Sequence, residues 1–181
     1  MTQTLDTLQE FIAAIEAAGE LVRIKQPVSV HLEMCEIADR AMKRPGGGPA
    51  LLFEHPVLRD GSKSAYPVAI NLFSSMSRMA LALGVQRLDE HGDRITKLLD
   101  LKVPEGFLGK LQLLPRLLEV AKFPPRMASG TPACQEIVWR GDEIDLDRLP
   151  VLTTWPEDGG PFITMTAVVS KDPQRGIRNV G

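Results

Sequence analysis

The segment from Phe123 to Pro132, FPPRMASGTP, constrains the chain more than any other feature. Its prolines and small residues interrupt both helix and strand, and the apolar periodicity changes across it. Before it, stretches with apolar residues three and four apart alternate with short apolar runs. After it, the pattern falls to a period of two, rich in β-branched residues. A chain of 181 residues broken in this way is predicted to hold one sizeable domain and part of a second.

In the first part, Thr4 is predicted to cap a helix that carries Leu5, Leu8, Ile12 and Ile15 inward and stops at Gly19. Leu21 to Ile24 reads as a strand ended by Pro27, and residues 32–43 as a helix with Leu32, Cys35, Ile37, Ala38, Ala41 and Met42 on its apolar side. Ala50 to Phe53 and Val68 to Ile70 read as buried strands, and residues 77–83 and 88–101 as helices. Gly106 to Ala121 is leucine-rich but contains Pro115, so it is expected to kink or split. This alternation predicts a mixed α/β domain over residues 1–125. In residues 126–181, Gln135 to Trp139 and Phe162 to Ser170 read as strands. Arg140 to Glu143 and Lys171 to Gly176 read as turns, and Ile177 to Val180 as a strand that stops before it can pair fully. The chain is expected to be cut.

Charge and cysteine usage exclude several classes. Lys plus Arg number 21 against 23 Asp plus Glu, a formal charge of −2. The densest basic run is Lys43-Arg44, so nucleic acid is not an expected partner. Cys35 and Cys134 form no CxxC pair and follow no secretory leader, which predicts two buried reduced thiols in a cytoplasmic protein. No apolar run reaches the ~20 residues that span a bilayer.

Most apparent motifs fail on their neighbours. Gly46-Gly47-Gly48 is followed by Pro49 and a strand, not by a lysine and a helix, so it reads as a flexible surface loop rather than a phosphate cradle. His31, His55 and His91 lack metal-ligand spacing and read as surface residues. No GxSxG elbow is present. In TTWPEDGGPF, residues 153–162, two prolines bracket two acids and two glycines and force a defined turn. From composition alone, that turn is either a hairpin packed around Trp155 or a rigid loop delivering the next strand to a cofactor.

The full string TTWPEDGGPFIT, the turn ending KDPQRGIRNVG and the leading TPACQE…DLDRLPVL closely resemble the UbiD family of decarboxylases, relatives of 4-hydroxy-3-polyprenylbenzoate carboxy-lyase. LQEFIAAIEAAGELVRI and GGGPALLFE are similar to that family's entry helix, strand and loop, so the resemblance covers the whole chain. It implies an α/β (α+β) fold: an N-terminal mixed α/β domain, residues 1–125, followed by the first strands of a split β-barrel resembling flavin reductases, residues 126–181. It implies prenylated FMN, with its phosphate held through Mn²⁺ and with K⁺ nearby, and an aromatic or unsaturated acid as substrate. It also implies homo-oligomers of the full-length protein, and peripheral membrane contact where the substrate is lipophilic.

By this resemblance, Asn179 is a metal ligand and cofactor contact, since an amide oxygen suits a hard cation that also bridges phosphate. Thr164 is a cofactor-binding hydroxyl on the strand entering the barrel. Arg178 should face away from Asn179. Glu157 and Asp158 match the family's turn, not its acid–base residues, so no catalytic residue is assigned within the chain. The remaining ligands and the acid–base groups are expected beyond residue 181. The reading from this resemblance is the front of a prenyl-FMN-dependent decarboxylase, acting on 4-hydroxy-3-polyprenylbenzoate in ubiquinone biosynthesis or on another phenolic or cinnamic acid. The alternative is a non-catalytic module that pairs with a separate chain through its open β edge.

Overall fold

The computed structural model describes residues 5–99, 124 and 129–181. Two compact units make up the chain, one of residues 1–84 with 145–181 and one of residues 85–144.

The first unit is organised around β3 (Ala50–Phe53), whose four residues are all buried. β1 (Leu21–Ile24) pairs with it in parallel and β5 (Val68–Ile70) antiparallel, in the order β1-β3-β5. Successive side chains of a strand point to opposite faces, so an unbroken apolar run such as ALLF is stable only if both faces are covered. α1 (Leu8–Ala17) packs Phe11 and Ile15 with Ala50, and Phe73 stacks on Phe11 at 5.5 Å between ring centres. α2 (Glu33–Met42) packs Met34, Ala38 and Ala41 with Leu51 and Phe53. β2 (Val28–Ser29) and β4 (Pro56–Val57) add a second parallel pair.

Residues 145–181 return to this body. Thr153 forms a parallel bridge with His31. Its amide donates to the Val30 carbonyl at 3.2 Å, its carbonyl accepts from the Leu32 amide at 3.1 Å, and its hydroxyl accepts from Arg59. Thr153 is buried, and Leu152 packs against the α2 cluster. The segment before Trp155 is therefore tied to the stretch between β2 and α2 by one parallel bridge.

Several expectations change in detail. The cap of α1 is Thr7, whose hydroxyl accepts from the Glu10 amide; Thr4 lies outside the described residues. Phe11 and Ile15 carry the inward stripe, while Leu8 is exposed, because the helix starts a turn later than the periodicity suggested. In α2, Met34 is fully buried and Met42 is half exposed.

The glycine triplet is not a loose loop. Gly47 and Gly48 take positive φ, and a methyl on either would drive into the carbonyl oxygen of Ser74 or Ala41. The buried Arg78 side chain of α3 (Met76–Ala82) donates to Gly48 O (2.8 Å), Leu72 O (3.1 Å), Asn71 O (3.3 Å), Ser74 Oγ (2.7 Å) and Glu20 Oε2 (2.8 Å). Ser75 and Ser77 also donate to Glu20.

In the second unit, α4 (Asp89–Leu99) begins with two acids, as the positive end of a helix dipole favours, and Glu90 accepts from the Arg87 amide. The predicted helix at 106–121 falls outside the described residues. Residues 135–139 are not a strand: a 3₁₀ turn covers Ala133–Gln135, and Ile137 and Val138 are exposed. Alternation alone does not make a strand when no neighbour offers a ladder. In the first unit the same reason applies to residues 162–168, where Met165 has a φ of 58° and only Val169–Lys171 forms β6. β6 pairs antiparallel with β7 (Arg178–Val180) across the expected turn, which Asp172 closes by accepting from the amides of Gln174 and Arg175.

Candidate functional site

The return of residues 152–156 over α2 creates a cleft of about 440 Å³ within the first unit. Leu32, Ala38, Met42, Ile70 and Leu152 make its apolar surface, and Cys35, Thr154, Trp155, Pro156 and Thr164 also line it. The Trp155 turn holds its shape locally. Asp158 accepts from the Trp155 amide at 2.9 Å and returns its own amide to the Trp155 carbonyl at 3.1 Å. Trp155 is 60% exposed, so the turn is not packed around its indole; the ring stands at the cleft mouth.

The polar groups of the cleft are few. Burial raises the Cys35 thiol above its ordinary pKa, the Thr154 hydroxyl partly offsets this, and the charge of Asp158 adds to the rise. The thiol is therefore neutral near pH 7. Glu36 and Asp39 sit on the helical wall but are neutralised along α2 by Arg40 and Lys43, at 2.7 and 2.5 Å. Such a cleft fits a flat, largely uncharged ring with a hydroxyl partner at its edge. It offers no cation to a phosphate among its lining residues.

Of the two residues singled out from the sequence, Thr164 lies in this cleft and Asn179 does not. Asn179 is on β7, exposed, directly across from Ser170 of β6. Arg178 is its neighbour on the opposite face, level with Lys171. Asn179 thus stands on the face opposite this pair of cations, and an amide oxygen is a ligand that hard cations accept. Among the described residues no group of three or more His, Cys, Asp or Glu side chains could hold a metal; His31 lies between β2 and α2, His55 between β3 and β4, and His91 in α4. His55 is half-buried and its Nδ1 is enclosed without a partner, in contrast to the surface position expected. Both cysteines are free, with Cys134 exposed and Cys35 half-buried, so neither is the fully buried thiol expected. Sequence reasoning passed over Cys35, Thr154 and Arg78. Only the fold brings the first two beside Thr164, although the helical phase of Cys35 against Ala38 and Met42 was legible.

The first unit is thus a mixed α/β body with an apolar cleft, continued by a short β hairpin. Comparison with known proteins makes the assignment specific. Residues 12–97 match the 3-octaprenyl-4-hydroxybenzoate carboxy-lyase N-terminal domain, and residues 126–181 match the Rift-related domain of the same carboxy-lyase. The chain belongs to the UbiD family of carboxy-lyases.

An uncharacterized protein of Aquifex aeolicus (strain VF5) is 43% identical over 174 residues, covering 96% of this chain and 34% of its own length. Among solved structures, an evolved dimeric form of the UbiD-class enzyme HmfF from Pelotomaculum thermopropionicum, in complex with prFMN, matches with a TM-score of 0.66 and 25% identity. That match covers 97% of this chain and 34% of the other. The vanillic acid decarboxylase of Sedimentibacter hydroxybenzoicus in open form shares the fold, with a TM-score of 0.69 at 24% identity over 99% of this chain and 34% of its own. The chain spans about a third of the length of these relatives.

Proposed function

We propose that the protein carrying this chain is a prenylated-FMN-dependent, non-oxidative decarboxylase of an aromatic or unsaturated carboxylic acid. The observation that carries this reading is the order of the two carboxy-lyase domains along one chain, with Thr164 of the second facing the cleft walled by α2 of the first. In this reading residues 126–181 are the opening strands of the flavin-binding barrel. Asn179 is one ligand of a divalent cation, Mn²⁺, that holds the cofactor phosphate, and K⁺ lies nearby. The other ligands and the acid–base groups follow residue 181.

Prenylated FMN, when bound, supplies the electron sink that accepts the pair left by departing CO₂. What this chain contributes is binding. Thr164 contributes a hydroxyl to the lining of the apolar cleft, and Trp155 and Pro156 form part of its wall. The substrate class is a phenolic, cinnamic or prenylated 4-hydroxybenzoic acid, the last placing the enzyme in ubiquinone biosynthesis. A long prenyl tail would bring peripheral membrane contact, although among the described residues no helix is long and apolar enough to cross a membrane. We assign the active form to a cytoplasmic homo-oligomer.

The test is CO₂ release by the full-length protein, produced together with a prenyl-FMN synthase, against prenylated 4-hydroxybenzoate, vanillate and cinnamate. Release from at least one acid, lost when unmodified FMN replaces the prenylated form, is expected. A flavin-loaded protein that releases CO₂ from none of them would overturn the proposal.

A further inference from the structure

The cleft between α2 and residues 152–156 is larger than one aromatic ring requires. An apolar cavity of about 150 Å³ already holds benzene, and this one measures about 440 Å³. Its wall on α2 is one helical face, since Cys35, Ala38 and Met42 follow at spacings of three and four. Ile70 of β5 and Leu152 add to the apolar lining. Ala38 has the smallest side chain of these. It is buried, and it packs in the same cluster as Met34, Leu51 and Phe53 while also lining the cleft. Met42, one turn further on, is half exposed.

The charges of the lining decide which part of a substrate acid enters. Among the described residues that line the cleft there is no cation, and its two acids, Glu36 and Asp39, are already paired with Arg40 and Lys43. An ionised carboxylate drawn into this lining would lose its water and find no opposite charge, which is strongly unfavourable. An alkyl or alkenyl group gains by the same transfer, in proportion to the apolar area it buries. The carboxylate is therefore directed out of the cleft, and the space beyond one ring suits an apolar substituent.

We propose that the cleft takes an apolar ring substituent of the substrate acid, with Ala38 setting how much of it enters and Met42 packing along it. This inference rests on the proposal that the flavin belongs to the barrel begun by residues 126–181, which leaves the cleft to the substrate. Thr164, assigned there to the cofactor, lines the same cleft, so a substituent held in it keeps its ring beside the cofactor. A single methyl at position 38 leaves open the space that a longer side chain would fill. The thioether of Met42, with three rotatable bonds, adapts to substituents of differing shape.

The test is isothermal titration calorimetry of the full-length protein loaded with unmodified FMN, using 4-hydroxybenzoate and 3-geranyl-4-hydroxybenzoate. The wild-type protein is expected to bind the geranyl acid at least about tenfold more tightly, because each added carbon in an apolar pocket counts. Ala38→Leu should reduce this ratio about tenfold, since its three extra carbons take the space of the substituent. Met42→Ala should reduce it several-fold, and Met42→Leu should stay near wild type. Thermal unfolding of each variant checks the fold; if Ala38→Leu does not fold, the half-exposed Met42 variants decide. Equal affinity of the wild type for the two acids overturns the proposal, as does a wild-type ratio in folded Ala38→Leu or in Met42→Ala. Equal affinity together with CO₂ release by the prenyl-FMN-loaded protein overturns the role of the cleft and leaves the decarboxylase standing. A geranyl preference that falls in the variants, without CO₂ release from any acid, upholds the cleft and overturns the decarboxylase.

Discussion

Replacing Arg78 by Met should be among the most damaging single changes in the first unit. The side chain is 2% exposed and reaches five acceptors on three segments: Glu20, the carbonyls of Gly48, Asn71 and Leu72, and the Ser74 hydroxyl. Methionine fills most of the volume and donates nothing. The carbonyls of Gly48 and Leu72 would then be left without this donor, at about 1–3 kcal/mol for each acceptor truly stranded in the interior. Breaking a buried ion pair from one side costs about 3–5 kcal/mol, but Glu20 is 30% exposed and water recovers part of that. A loss of about 3–4 kcal/mol follows, a large share of the 5–15 kcal/mol that typically holds a domain together. For a body of this size that is a fall in Tm of roughly 6–15 °C. The control is Arg87→Met, whose partner Asp89 is 78% exposed and whose own side chain is 77% exposed; it should leave the unfolding midpoint unchanged. Differential scanning fluorimetry and urea titration read the shift. Hydrogen exchange should show the amides of Arg44, Gly46, Gly47 and Gly48 losing protection first, because Arg78 and Ser74 clamp that turn. Equal shifts for Arg78→Met and Arg87→Met would refute the reasoning.

Three further outcomes are expected. Glu20 is held below its ordinary value of about 4.5, first by Ser77, then by Ser75 and Arg78, against the opposing effect of burial. A depressed carboxylate contributes stability that is fully present above the unfolded value and lost as pH falls through the lower folded value. Stability should therefore fall on acidification below about pH 4.5, and Glu20→Gln should flatten that slope in a urea series; an unchanged slope would count against the cluster. Cys134 should react with a maleimide well before Cys35, since Cys35 is half-buried with its thiol pKa raised, and peptide mapping after timed quenching reads the order. Equal rates would mean that the cleft is open to reagent. A polypeptide of residues 1–181 alone is expected neither to retain prenylated FMN nor to release CO₂, and to run as mixed oligomers, because the valines of β6 and β7 are exposed. Flavin absorbance after gel filtration, CO₂ release or a clean monomer by light scattering would contradict this.

Local chemistry carried much of this protein into its sequence. ALLF had to be a strand covered on both faces, because four consecutive apolar residues leave no side for water. LQEFIAAIEA had to be an amphipathic helix, and Asp172 had to close a turn before Gly176, since both follow from bonds within a few residues. The string from Thr153 to Gly181 identified the family for the same reason, because its turn chemistry is written contiguously. The strands expected at 135–139 and 162–168 were not so determined. A strand exists only where a neighbour supplies the other half of its ladder, and alternation carries no information about that neighbour.

The cleft and its contents were decided by tertiary structure alone. Cys35 and Thr164 are far apart in the chain and share a wall only because Thr153 bonds beside Val30 and Leu32 and turns the intervening residues back over α2. Gly46-Gly47-Gly48 looked like a free loop until Arg78, thirty residues on, was found to hold it. Helix phase, strand alternation and turn closure are settled by neighbours within a few positions, so they can be read from the sequence alone. Which distant carbonyl a buried guanidinium satisfies depends on how the elements pack, and that became visible only in the folded chain.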